Sequence, residues 1–138
     1  MKINPIFAKI ALVLGIGISS CGAYAQSMKV TLTGAQEVPP VMTSASGVGA
    51  IIVAPDGSVS GTITTTGMEG TMAHIHEAPM GQNGPVIVPF TKTADNVWSA
   101  PASAKLTEAQ LQSLKSGNLY LNVHSATNKP GEIRAQLK

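Results

Sequence analysis

Thiols, aromatic rings, charge and long apolar runs are all scarce in this sequence, and each scarcity excludes something. The single cysteine, Cys21, has no partner within its own chain, so a disulfide-stapled scaffold is excluded. Only 12% of the 138 residues are charged while 43% are hydrophobic, a balance that argues against intrinsic disorder. Aromatics make up 4%, so the core must come from Val, Ile, Leu, Ala and Met. No apolar run approaches the ~20 residues that a membrane-spanning helix needs. The length fits one small domain.

What is present begins with an export signal. Residues 1–9 carry Lys2 and Lys9 and no acid, residues 10–18 (IALVLGIGI) are apolar, and the stretch that follows ends Ala23-Tyr24-Ala25. A positive start, an apolar middle and an A-x-A site are the three parts of a secretory signal. The expectation is removal of residues 1–25, leaving one β domain over 26–138 in the periplasm or outside the cell. The alternative is a lipobox at Ile18-Ser19-Ser20-Cys21, which would leave Cys21 as a lipid anchor. Removing 25 residues from 138 leaves 113. Lys2 and Lys9 go with them, so seven bases face seven acids and the net charge falls from +2 to zero. The remaining bases are scattered from Lys29 to Lys138, which excludes a nucleic-acid-binding face. A thiol-free mature chain suits an oxidising compartment.

The mature sequence reads as β. Short Thr/Val/Ile-rich segments alternate with Gly and Pro punctuation, predicting strands over 28–33, 47–53, 58–66, 72–77, 86–90, 119–124 and 132–137. Ala54-Pro55-Asp56-Gly57 is a hairpin signal. One short helix is predicted near 107–116: Thr107 and Gln110 fit a capping box, Leu106, Leu111 and Leu114 supply an apolar face, and Gly117 stops it. Seven or eight short strands in this length predict an antiparallel Greek-key sandwich or barrel, of the superoxide dismutase-like or immunoglobulin-like kind.

The distinctive polar groups are three histidines. His74 and His76 sit two apart in a predicted strand, so they share a face about 6.6 Å apart. His124 ends another strand. Three imidazoles with an open position suit copper or zinc. Met72 shares the face of His74 and His76, and Met80 lies in the loop beyond; thioethers favour Cu(I). Met68 is expected to fill core instead. Copper is therefore the expected ion, with zinc the second candidate, and a second copy of the chain is an open possibility for completing the site.

Catalytic constellations are poor by comparison. The chain lacks a Gly-x-Ser-x-Gly elbow, a mature cysteine nucleophile and a phosphate-cradling glycine loop. Seven dispersed acids give no reason to pair any two. Glu132 and Arg134, two apart on a strand, read as a surface or edge ion pair worth ~0–1 kcal/mol.

Five motifs in order resemble a known family. They are Gly34-Ala35-Gln36-Glu37-Val38-Pro39-Pro40-Val41, Ala73-His74-Ile75-His76, Gly81-Gln82-Asn83-Gly84-Pro85-Val86, Leu119-Tyr120-Leu121-Asn122-Val123-His124, and Asn128-Lys129-Pro130-Gly131-Glu132-Ile133-Arg134. The pattern resembles the CHRD domain, named for chordin, across about residues 30–137. Ala135 stands where the family usually has glycine. The resemblance implies an exported β domain with a structural or binding role. A weaker resemblance is to Cu,Zn superoxide dismutase. It implies copper ligation by His74, His76 and His124, but it lacks a zinc site, a bridging imidazolate and a disulfide. Three readings follow: a copper-binding protein for sequestration, delivery or electron transfer; a mononuclear copper oxidoreductase; and a metal-free interaction module.

Overall fold

The computed structural model describes residues 23–138, so Cys21 and nearly all of the expected export signal, 1–25, lie outside the described residues. Nine antiparallel strands form the architecture. They are β1 (Gln26–Thr33), β2 (Ser46–Val53), β3 (Val59–Thr66), β4 (Gly70–Glu77), β5 (Val86–Pro89), β6 (Thr91–Ala94), β7 (Val97–Ser99), β8 (Leu119–Ser125) and β9 (Ile133–Leu137). The one α-helix among the described residues, α1 (Glu108–Lys115), starts on the expected capping box, with Gln110 N–H donating to Thr107 Oγ1 and Thr107 N–H to Gln110 Oε1. It ends before Gly117, which has φ +72. Among the described residues, no helix is long and apolar enough to cross a membrane.

The strands make one sheet in the order β5-β4-β8-β9-β1-β2-β3-β7-β6. β5 and β6 stand at its two ends, yet only Phe90 separates them in the chain. One residue spans about 3.8 Å, so the sheet must curl until its ends almost meet. Phe90 N–H donates to Ala73 O at this seam, 2.9 Å away. The result is a nearly closed barrel. After β7 a long connection carries α1, and β8 then returns to lie beside β4 in Greek-key manner.

Alternation fills the interior. Leu32, Ile51, Ile63, Ile75, Leu119, Leu121, Val123, Ile133 and Leu137 are all fully buried, and Phe90 and Trp98 join them. Met68 packs against this core, as expected. Two strands, β6 and β7, were not distinguished in the sequence. Thr91–Ala94 is exposed along its length and has no buried face to create a period, and the Asp95-Asn96 turn relies on Asn96 at φ +59 rather than on a glycine.

The outward faces differ. On β3 the outward residues Ser60, Thr62, Thr64 and Thr66 meet water. On β8 and β9 every residue is buried, although outward positions alternate as Tyr120, Asn122, His124 and Arg134, Gln136. A 3-10 turn at Gly34–Gln36 with the chain beyond it, and the loop 78–85, cover this face.

Candidate metal centre

β4 and β8 are neighbours, which brings the two histidine strands together. Met72 pairs with His124, His74 with Asn122 and His76 with Tyr120. His74 and His124 are thus diagonal neighbours on the outward face. The three rings offer nitrogen atoms that all lie within 4.8 Å of one another. Ring centroids are 5.4 Å apart for His74–His76, 4.9 Å for His74–His124 and 6.0 Å for His76–His124.

Backbone carbonyls fix two of the rings. His76 Nδ1 lies 2.9 Å from Gly84 O, and His124 Nδ1 lies 2.7 Å from Lys129 O. A carbonyl only accepts, so each Nδ1 carries the proton and each neutral ring keeps a lone pair on Nε2. His124 Nε2 accepts from His74 Nδ1 at 3.0 Å. His76 Nε2 is buried and has no partner. Anchoring the far nitrogen to a carbonyl is how metal-ligating histidines are oriented.

His74 and His76 favour the neutral form that ligation needs. Burial, followed by the neighbouring His124 and His76, pushes His74 down to about 4. Burial also lowers His76, against the opposing pull of its Gly84 bond, with His124 and Arg134 lowering it further.

Around the rings is a built polar layer. Tyr120 stacks on His76 at 4.8 Å and 7° between planes, and its hydroxyl accepts from Gly84 N–H at 3.1 Å. The same residue, Gly84, therefore holds Tyr120 and His76 together. A Cβ there would run into the Glu77 carbonyl, so only glycine fits. The Arg134 guanidinium sits 3.5 Å from the Tyr120 ring centre, on the β9 side. Asn122 Nδ2 donates to Glu37 Oε1 and, at 3.3 Å, to Ile133 O. Gly131, at φ +141, leaves room for that Glu37 carboxyl.

The methionines separate. Met72 stands opposite His124 on the same face and is 48% exposed. Met80 is 64% exposed and lines a cavity that none of the three histidines lines. The expectation of a surface or edge Glu132–Arg134 ion pair is overturned. Arg134 is 1% exposed, and its guanidinium donates to Asn83 Oδ1, Gln82 O and Gln136 Oε1. Glu132 instead accepts from Thr43 Oγ1 at 2.7 Å. Burial raises the Glu132 pKa, but hydrogen bonds from Ser125, Thr43 and Asn128 win and hold it below the usual carboxylate value. The covering chain 34–45 and loop 78–85 turn an outward face into an inside.

Sequence reasoning missed the roles of Glu37, Tyr120, Asn122, Arg134 and Gln136. The one available signal was that so many outward positions on two strands were large and capable of several hydrogen bonds.

The fold and site define a β-barrel carrying a buried polar face. The sequence matches the family described as CHRD domain over residues 28–137, and the chain belongs to that family. No curated protein and no solved structure matches it.

Proposed function

We propose that this chain is an exported metal-binding protein that holds copper through His74, His76 and His124, in sequestration, delivery or electron transfer. The observation that carries the reading is His76 Nε2, buried without a partner in a ring clustered with the other two. A buried acceptor left unsatisfied costs about 1–3 kcal/mol, and a bound ion would remove that cost. His124 Nε2 supplies a second nitrogen, and His74 Nδ1 a third once its proton moves to Nε2 of the same ring. Copper would add a Lewis-acidic, redox-active centre, while the protein's own groups orient the rings and burial favours neutral His74 and His76. Copper is preferred over zinc because the Met72 thioether shares the face. The residues present fit the ion, since three clustered imidazoles, two of them anchored through Nδ1 to backbone carbonyls, are a recurring donor set.

The 3.0 Å contact between His74 and His124 favours a second reading, a metal-free module in which two histidines satisfy each other. Titration with Cu(I), Cu(II) and Zn(II), followed by calorimetry and thermal shift, separates the two. Ligand binding to the native state must raise its melting temperature. Stoichiometric copper binding that falls at least tenfold in both His76→Ala and His124→Ala is expected. Binding unchanged in both variants, or no thermal shift on adding metal, overturns the proposal. Turnover of superoxide above that of free copper would add the oxidoreductase reading.

A further inference from the structure

A cavity of about 420 Å³ opens on the outward face of β9, between the chain around the 3-10 turn and loop 78–85. Val38, Pro40 and Met80 form apolar walls, and Glu37, Arg134 and Gln136 form the floor. A guanidinium this deeply buried ordinarily has a carboxylate partner, because an unpaired charge out of water is costly. All three hydrogen bonds that Arg134 donates end on neutral oxygens. Glu37 is the acid that acts on it electrostatically, but burial pushes the Glu37 carboxyl up to about 7, so near neutral pH it supplies only part of a counter-charge. The floor therefore presents a buried guanidinium whose hydrogen bonds reach no carboxylate, beneath apolar walls.

We infer that this cavity binds a small organic carboxylate, its short apolar body against Val38, Pro40 and Met80 and its carboxylate turned to the Arg134 end of the floor. Guanidinium and carboxylate geometries match, and a charge-assisted bond is about twice as strong as a neutral one. The incoming oxygens compete with Asn83 Oδ1 and Gln82 O, which loop 78–85 lends to the guanidinium. Asn83 Nδ2 also donates to Val38 O at 2.8 Å, so the loop ties both rims of the cavity together. The site does not depend on the histidines or on any metal.

Hexanoate is the probe, with hexan-1-ol and hexylamine as controls, titrated into the metal-free protein by calorimetry and NMR. Saturable hexanoate binding at least tenfold tighter than either control is expected. Gln36 is exposed and lines the cavity. Gln36→Glu should weaken hexanoate severalfold and leave hexan-1-ol unchanged, whereas Met80→Trp, at the exposed wall, should weaken both. Arg134→Gln should erase the preference for hexanoate wherever circular dichroism shows it folded; Gln36→Glu carries the charge test if it is not. Equal binding of hexan-1-ol and hexanoate, no saturable binding at millimolar hexanoate, or indifference to Gln36→Glu overturns the inference.

Discussion

The outward faces of β3 and of β8–β9 obey the same alternation and meet opposite fates. Thr62, Thr64 and Thr66 end in water. Tyr120, Asn122, His124, Arg134 and Gln136 end inside. On β3 a polar side chain is a solubility choice, and little depends on it. Under the covering chain and loop, each polar atom must find a partner or impose a penalty. Gln136 Nε2 illustrates this, donating to Ala78 O at 2.9 Å and Gly117 O at 2.8 Å, so that one amide holds two loops. The lesson is that β8–β9 has a second, polar core on the side where a barrel normally meets solvent, and the three histidines are part of it.

The largest test of that contrast is Arg134→Ala. It strips a buried network of its centre, leaves three acceptors without their donor and opens a cavity, and should destabilise by about 3–5 kcal/mol. Denaturant unfolding would check this, and a loss below 1 kcal/mol would mean that the layer is no core. Next comes Gly84→Ala, whose new methyl meets backbone rather than a flexible side chain. Overpacking of this kind costs about 1–3 kcal/mol. If the site holds metal, displacing the carbonyl that anchors His76 should also lower metal affinity 10–100-fold.

A third test uses pH. The Glu37 carboxyl has a folded pKa near 7 against an ordinary value of 4.5, raised by burial. Below pH 4.5 both folded and unfolded chains hold this proton. Between 4.5 and 7 the folded state holds it and the unfolded state releases it, so this group's contribution to stability falls as pH rises. The fall should total about 1–3 kcal/mol. Glu37→Gln keeps an acceptor for Asn122 and should flatten the difference in stability between pH 5 and pH 8. Identical pH profiles for the two proteins would show that Glu37 ionises normally. The smallest effect is the control on the other face: Thr64→Ala should stay within about 0.5 kcal/mol, and a larger loss would blur the distinction between the faces.

Much of the barrel was legible because its causes are local. Val, Ile and Leu at every second position fix strand and face, Thr107 with Gln110 fixes the start of α1, and Asp56-Gly57 fixes a hairpin. The shared face of His74 and His76 follows from the same period of two. β6 escaped because a strand exposed along its length has no contrast between its faces. Arg134 was misread for a related reason, since a polar residue at an outward position looks alike whether water or a loop lies above it. The Asn122–Glu37 hydrogen bond joins residues 85 apart, and nothing in either neighbourhood announces the other.

By itself, then, the sequence determined a β domain of a recognisable family, with two histidines on one strand face and a third at a strand end. Only the tertiary structure decided that β4 lies beside β8, so that three nitrogens converge, and that chain 34–45 and loop 78–85 close over the result. Alternation is written residue by residue and says which way a side chain points. Which strand stands next to it, and whether water reaches it, depends on chain closure over scores of residues, and no local pattern encodes that.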